Sequence, residues 1–284
     1  MFYATLAEVR AELKADSTVG DSLVVTYLRQ ISERLDREFM AVRPVFGPWI
    51  EQREFLVEPT RIDSYYNTFR FVDPLLALTA AEVAGDTLTV GTTVEAWPTL
   101  RTPYRLLRIM DCGCSWYSHC TSDCAPPMVK ITGTWGYHRN WDDAFPEVDT
   151  VQDALGINAT VTTLTVADVD GTDEWGQTPR ISTGNLLLIG TEYLEVTATN
   201  TVANTATVRR GRNGSTAAAH ANGVAVAVFR PEDPIRRLVI RMAAKSYAKR
   251  GAFEATEVTD LGTITYPADW LMEARNIMQE YAYE

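Results

Sequence analysis

Asp233-Pro234-Ile235-Arg236-Arg237-Leu238 is the stretch that decides how the chain is divided. An aspartate followed by proline is typical of a helix start, because the carboxylate caps free amides and proline suits the first helical position. Apolar residues then recur at helical spacing, at Ile235, Leu238, Val239 and Met242. Gly251 stands where a left-handed cap would end this helix. A helix is therefore predicted to begin directly after a long region of a different kind.

The region before this helix, residues 149–229, is rich in Thr, Ala, Val, Asn and Gly. An alternating pattern recurs in four segments, which are 161–166, 193–197, 206–209 and 224–228, and in the last of them Val alternates with Ala. Turn dipeptides separate them, at Asp170-Gly171, Asn213-Gly214 and Asn222-Gly223. We predict a small inserted all-β domain, a barrel or a sandwich, over 149–229.

Further upstream, residues 49–135 consist of short β-like runs with turns between them. The predicted strands are 49–57, 69–72, 75–83, 87–90, 104–109 and 129–134. Helical spacing is not sustained in this part of the sequence. It is predicted to form an antiparallel strand region.

The N-terminus carries two helical patterns. Thr5-Leu6-Ala7-Glu8 is a capping box, after which Leu6, Val9 and Leu13 mark one helix face. Asp21 is the predicted N-cap of a second, longer helix. Its apolar residues are Val24, Tyr27, Leu28, Ile31 and Leu35, and its opposite side carries Arg29, Glu33, Arg34, Asp36 and Arg37. A final helix is predicted to open at Pro267.

This order predicts an α+β fold in which N- and C-terminal helices form one small helical bundle. Residues 1–148 and 230–284 make the core, with a Cys-rich loop at 111–124, and 149–229 make the insert.

Composition limits the function classes. The chain has 284 residues, 37 acidic and 26 basic, and a formal charge of −11, which works against non-specific duplex binding. No run reaches the roughly 20 apolar residues that span a bilayer, so no membrane contact is expected. No secretion signal is visible after Met1, so we expect assembly in the cytosol.

Four cysteines form a tight cluster, at Cys112, Cys114, Cys120 and Cys124, with His119 among them. Four thiolates can hold a structural zinc in a tetrahedron, although the spacing is not the paired CxxC arrangement. Disulfides or free thiols are the alternatives. A cytosolic origin disfavours early disulfides.

Four cations of the third helix follow at i, i+4 steps, at Arg237, Arg241, Lys245 and Lys249. Such positions share one face, and we call these residues the α3 stripe, since the helix predicted from Asp233 is the third helix of the chain (α3). A solvated face is the simplest interpretation for a monomer. In an assembly the stripe would meet acidic side chains, and candidates in this chain are Glu33, Asp36, Glu273 and Glu280.

Other polar groups favour simple structural roles. Asp168, Asp170 and Asp173 form an acidic turn that lacks the remaining calcium ligands. Arg209, Arg210 and Arg212 flank a turn and predict an exposed hairpin loop, with contact to an anion or a partner as the alternative.

We expect no enzyme, since no nucleophile elbow, HExxH, phosphate loop or dinucleotide fingerprint occurs. His119, His138 and His220 lie in unrelated contexts. Asp142 and Asp143 beside Trp141 are more simply an exposed loop than a carboxylate pair. The scattered tryptophans are better explained by packing than by sugar binding.

Three stretches resemble head–tail connector (adaptor) proteins of tailed bacteriophages. They are residues 5–39, the strands around 71–78 with the turn at 84–86, and 129–137 followed by 234–250. In relatives the third stretch runs from strand to helix across a short link, whereas here the insert intervenes. The insert resembles a β module of phage structural proteins at 168–173, 192–196 and 208–220.

The resemblance implies a virion protein of the head–tail junction. Its copies, usually twelve, would form a homo-oligomeric ring beneath the portal protein and above the next neck or tail protein, a stopper or tail terminator. Packaged DNA would pass through the lumen, and the C-terminal region would grip the portal. The α3 stripe would meet acidic side chains of a neighbouring copy or of the portal, with lining of the lumen toward DNA as a third option. Trp270, Tyr281 and Tyr283 are the candidate anchors. The alternative is a tail-tip or decoration protein whose insert binds a host carbohydrate or receptor.

Overall fold

A computed structural model describes residues 1–14, 20–38, 45–110, 116 and 128–248, with the backbone of two short strands at 256–259 and 262–265. The four cysteines, Lys249, Gly251 and the helix predicted from Pro267 lie outside the described residues, as do Trp270, Tyr281 and Tyr283. The fold is of the mixed α+β class, as predicted.

Three helices are described: α1 (Leu6–Leu13), α2 (Asp21–Glu38) and α3 (Asp233–Ala248). The predicted capping box of α1 is confirmed, since the Thr5 hydroxyl accepts from the Glu8 amide and Glu8 reaches back to the Thr5 amide. Asp21, predicted as an N-cap, is instead the first residue of α2, and its carboxylate binds Arg10. The contact between Arg10 and Asp21 thus ties α1 to the first turn of α2.

The helices pack on one apolar cluster although α3 is far from the others in sequence. Residues of all three contribute to it: Val9, Val24, Leu28, Ile31, Leu35, Ile235, Leu238, Val239 and Met242. These are the positions predicted to lie on the apolar faces. Burial of apolar area is therefore what holds the N-terminal helices against the helix that follows the insert.

Tyr3 joins α2 to the segment before the first strand. It is fully buried, and its hydroxyl donates to Asp36 and accepts from the Phe46 amide at 3.2 Å. The Val45 amide also donates to Asp36, at 3.0 Å. Burial and the Asp36 charge raise the pKa of Tyr3, so the phenol keeps its proton and can donate. Asp36, predicted on the polar side of α2, therefore faces inward.

The first sheet contains seven antiparallel strands. They are β1 (Trp49–Leu56), β2 (Ile62–Asp63), β3 (Thr68–Val83), β4 (Asp86–Leu88), β5 (Val94–Trp97), β6 (Tyr104–Ile109) and β7 (Met128–Trp135). Their order is β1-β7-β3-β6-β5, and β2 and β4 also pair with β3. Short 3₁₀ turns lie at Pro59–Arg61 and Trp141–Asp143.

β3 corrects the sequence prediction, which placed two strands there. It runs continuously through Pro74, with register shifts against β6 between Arg70 and Leu75. Proline has no amide to donate, but an irregular position in the ladder needs none. The first half of β3 pairs with β6 and the second half with β7.

The second sheet lies within residues 147–228. Its strands are β8 (Glu147–Thr150), β9 (Thr163–Thr165), β10 (Leu186–Ile189), β11 (Glu192–Asn200), β12 (Thr205–Arg212) and β13 (Ala225–Val228). Their order is β8-β13-β10-β11-β12-β9. The two edge strands come together at their ends, since the amide of Gln152, just beyond β8, donates to the carbonyl of Thr165, the last residue of β9, at 2.9 Å. The sheet is thus curled, and the exact domain boundary at 149–229 stays a prediction.

This curled sheet packs directly on the core. Leu186, Tyr193 and Phe229 form an apolar cluster with Ala144, and Phe145 stacks on Tyr193 at 5.7 Å. The turn Asn213-Gly214 also binds β1, because the Ile50 amide donates to the Asn213 carbonyl at 2.8 Å.

Gly214 is required at this contact. It has a φ of +81°, and a Cβ there would lie 1.9 Å from the Ile50 carbonyl oxygen. The insert is therefore fitted closely to the strand region.

A hairpin that the sequence did not predict follows α3. It consists of β14 (Thr256–Thr259) and β15 (Gly262–Thr265). None of the helices in the described part of the chain has the length and apolar character needed to cross a membrane.

Candidate functional site

A groove with a volume of about 950 Å³ opens beside the first sheet, between residues 60–70, 97–106 and 137–139. Five arginines line it, and we call it the arginine groove. They are Arg61, Arg70, Arg101, Arg105 and Arg139. Asp63 is the acidic residue of the lining, so the groove has four more positive than negative charges in a chain whose net charge is −11.

Strand alternation places Arg70 in the groove. Phe69 and Phe71 on either side of it are buried in the core, so Arg70 points to the opposite face of β3. Arg105 on neighbouring β6 is held at the rim, where its guanidinium donates to the Val72 carbonyl at 2.8 Å. The sheet thus brings the two arginines together.

Three loop arginines complete the lining. Arg61 ends a 3₁₀ turn and lies 3.3 Å from the Glu58 carboxylate. Arg139 is positioned through its backbone, whose amide donates to Glu232 at 2.5 Å. Arg101 lies in the loop between β5 and β6. Arginines from three separate ranges of the chain, 61–70, 101–105 and 139, therefore line one cavity.

Two of these arginines are available to a ligand. Arg70 and Arg101 are exposed, and neither forms an ion pair or hydrogen bond with any described residue. The Asp63 carboxylate is engaged locally, since its Oδ1 accepts from the amides of Tyr65 and Tyr66 at 2.9 and 3.3 Å. The groove can therefore bind an anion through planar, bidentate donors.

Aromatic rings form one side of the groove. Tyr66 and Trp97 are stacked, with their centroids 6.0 Å apart and their planes 23° apart. Tyr66 is 53% exposed and Tyr65, which meets it edge-on, is 87% exposed. Large exposed rings beside guanidinium groups are suited to flat ligand groups.

This groove could not be predicted from sequence, because its residues are widely separated along the chain. One signal was present, namely the alternation Phe69-Arg70-Phe71, which predicts that Arg70 faces away from the core. The arginines on loops carry no such pattern. Only the tertiary fold brings them together.

The described part of the α3 stripe has the predicted placement. Arg237, Arg241 and Lys245 are exposed, while Ile235, Leu238 and Met242 on the other side of α3 are buried. The prediction of Asp36 as an acidic partner of the stripe is wrong, because its carboxylate binds Tyr3 and the Val45 amide. Glu33 is exposed and lies 3.6 Å from Arg37. Glu273, Glu280 and Lys249 lie outside the described residues.

The prediction of an exposed loop at Arg209, Arg210 and Arg212 is wrong for Arg210. Its side chain is 6% exposed and donates two hydrogen bonds to the buried Glu192 carboxylate, at 2.8 and 2.7 Å. His220 lies 2.8 Å from the same carboxylate. We call these residues the Glu192 network. It links β11, β12 and the segment before β13.

The charge of Glu192 is strongly stabilised. Burial alone would raise its pKa, but Arg210, the amides of Ala218 and Gly211, and His220 outweigh burial and lower it from 4.5 to about 2. The carboxylate accepts from all of these groups, which leaves no place for a substrate. The network is therefore a structural element of the insert.

The remaining candidates also have structural partners. Asp168 accepts from the Gly171 amide at 2.9 Å, and Asp173 binds Arg230. His138 lies 3.0 Å from the Arg230 carbonyl oxygen, so it links the strand region to the segment before α3. Asp142 and Asp143 are exposed in a 3₁₀ turn.

The predicted zinc site at Cys112, Cys114, Cys120 and Cys124 falls outside the described residues and stays a prediction. Within the described ranges no group of three or more His, Cys, Asp or Glu side chains is arranged to hold a metal ion.

Neither a scan of protein-family models nor a search of curated proteins found a match to this chain.

Proposed function

We propose that this chain is a structural protein of the phage neck that forms a ring joining the portal to the tail. About a dozen copies would surround a lumen through which packaged DNA passes, with a stopper or tail terminator bound on the far side. The protein would reside at the head–tail junction of the virion. Its role is mechanical rather than enzymatic.

The observation that carries this proposal is the common core of α1, α2 and α3. Helices from distant parts of the chain bury one shared apolar cluster, and α3 keeps a row of cations outside it. In the proposal the three helices form a small bundle that sits beside the bundle of the next copy. The core folds each subunit, and the outer faces join subunits.

The charges indicate what the α3 stripe would meet. The chain as a whole has a formal charge of −11, so a neighbouring copy offers more acidic than basic side chains. Glu33 on α2 is one exposed carboxylate. Opposite charges across an interface favour its formation and fix its register.

Native mass measurement with and without the portal protein tests the proposal. We expect a closed multimer of about a dozen copies. The variant carrying Arg241→Glu and Lys245→Glu should lose this multimer at physiological salt, because each contact becomes repulsive.

A matched control changes the same charge elsewhere. Arg70→Glu with Arg101→Glu alters two arginine-groove residues and should leave the multimer intact. Wild-type protein that stays monomeric with and without portal would contradict the ring. Equal loss of the multimer in both variants would contradict the role of the stripe.

The C-terminal anchors need a separate test. Removing the residues after Asn276, which include Tyr281 and Tyr283, should abolish portal binding, since aromatic side chains supply much of the energy of such contacts. Pull-down with purified portal protein measures this. Portal binding retained by the truncated chain would refute the anchor assignment.

One observation favours the alternative function. Trp175 lies on a loop of the insert and is 68% exposed, and exposed tryptophans stack on sugars. A glycan array probed with the full chain and with the Trp175→Ala variant tests a receptor-binding role. Glycan binding that Trp175→Ala abolishes would favour that role over the neck protein.

A further inference from the structure

We propose that the arginine groove is a binding site for single-stranded nucleic acid. This goes beyond the neck function, in which DNA passes through a lumen without being held at any one site. The ligand is defined by two chemical features, a chain of phosphates and unstacked bases. Each feature has its counterpart in the groove.

The phosphates have their counterpart in Arg70 and Arg101. Both guanidinium groups are exposed at the cavity and have no ion pair with a described residue, whereas the wall arginines Arg61 and Arg105 are fixed by protein acceptors. A phosphate can accept bidentate hydrogen bonds from each of these guanidinium groups.

The bases have their counterpart in Tyr66 and Trp97. The two rings are already stacked with each other, and Tyr66 is more than half exposed. Bases in a duplex are stacked on one another, so a ring of the protein can stack only on bases of a single strand. The aromatic side of the groove therefore favours single-stranded over duplex ligand.

An acidic peptide accounts for only part of this site. Its carboxylates would pair with Arg70 and Arg101, but they offer no flat partner to the aromatic side. Duplex DNA fits less well, because its paired bases are stacked on one another and offer no free face to the rings. A single strand satisfies both the cations and the rings.

Fluorescence anisotropy of a labelled short oligothymidylate measures the binding, with the full chain as titrant. Wild-type protein should bind saturably at low salt. Arg70→Glu with Arg101→Glu should weaken binding by about tenfold or more. The slope of log K against log salt should fall by about 1.4, since each lost phosphate contact to a single strand contributes about 0.7.

Tyr66 supplies a second and independent test. Tyr66→Ala should weaken binding, and Tyr66→Phe should restore it, because phenylalanine keeps the stacking face and lacks only the hydroxyl. The salt slope should be unchanged in Tyr66→Ala, since no phosphate contact is lost. A purely structural role of Tyr66 would not separate affinity from salt dependence in this way.

The control is Arg37→Glu with Arg209→Glu, which makes the same change of charge at two exposed arginines outside the arginine groove and the α3 stripe and should leave oligothymidylate affinity unchanged. The proposal is overturned if wild-type protein does not bind, if this control loses as much affinity as the groove variant, or if the corresponding duplex binds equally well. Displacement of the strand by an equal charge of poly-glutamate would assign the groove to acidic protein segments instead.

The same variants separate this proposal from the neck function. Native mass measurement reports ring formation, whereas anisotropy reports the groove. A groove variant that forms the multimer but does not bind the strand supports both proposals. A wild-type multimer without strand binding overturns the groove assignment alone.

Discussion

Arg210 in the insert and Arg70 in the arginine groove are residues of the same type in opposite environments. Arg210 is 6% exposed and donates to Glu192 and to the carbonyl oxygens of Asn158, Val161 and Ala218. Arg70 is exposed and has no partner among the described residues. A buried cation must be fully paired for the chain to fold, so its pairing is explained by stability. A cation left unpaired in a cavity has no such explanation, and a ligand is the natural partner.

The largest effect on stability is expected when the buried pair of Arg210 and Glu192 is broken. Glu192→Ala should lower the free energy of unfolding by about 3–5 kcal/mol, because it leaves Arg210 buried without a counter-charge. Urea titration of the full chain followed by circular dichroism measures the change.

Arg209 provides the control for that experiment. Its side chain is 59% exposed and lies 3.8 Å from Glu195. Arg209→Ala should cost no more than about 0.5 kcal/mol, as is usual for surface ion pairs. Equal costs at Glu192 and Arg209 would show that the Glu192 network does not stabilise the insert.

Acid should weaken the same network in a defined range. The pKa of Glu192 is about 2 in the folded protein and 4.5 without the fold. A lowered pKa means that the stabilisation is fully present above pH 4.5 and is lost as the pH falls from 4.5 towards 2.

The measurement is the stability difference between wild type and Glu192→Gln across this pH range. Since glutamine does not titrate, the difference should shrink below pH 4.5 and be constant above it. A difference that is the same at pH 3 and pH 6 would contradict the lowered pKa.

Tyr3 tests a smaller buried contact, in the helical part of the molecule. Tyr3→Phe removes the donor to Asp36 and the acceptor of the Phe46 amide. We expect a loss of about 1–3 kcal/mol, the usual cost of leaving buried polar groups unpaired. Urea titration again reports it, with Tyr27→Phe on the partly exposed side of α2 as the control. A loss no greater than that of the control would mean that water replaces the missing hydroxyl.

The helices could be predicted from sequence because their determinants are local. The Thr5–Glu8 capping box and the Asp233-Pro234 start each lie within a few residues, and the structure has α1 and α3 at those places. The apolar spacing of α2 and α3 also predicted which side chains meet in the shared core.

β10 shows where local pattern fails. Leu187 and Ile189 face the core of the insert, while Leu186 packs on the cluster between insert and strand region. A strand buried on both faces has no alternation of apolar and polar residues, so it was not predicted. The outer face of β10 is buried because the insert packs on the rest of the chain.

The burial of Arg210 and the arginine groove could not be predicted from sequence for a related reason. The sequence shows which residues are cationic, but burial and pairing depend on partners far away in the chain. Glu192 determines that Arg210 is buried, and the fold determines that Arg101 and Arg139 line the same cavity as Arg70. The chemistry of both places was visible in the sequence, whereas their geometry was not.

The smallest effect on stability is expected at the exposed arginines of the groove. Arg70→Ala with Arg101→Ala should change the free energy of unfolding by no more than about 0.5 kcal/mol, because surface substitutions without broken contacts are close to neutral. The same urea titration measures this. A loss of several kcal/mol would mean that these arginines are paired in the folded protein, and the groove would then belong with the Glu192 network rather than with ligand binding.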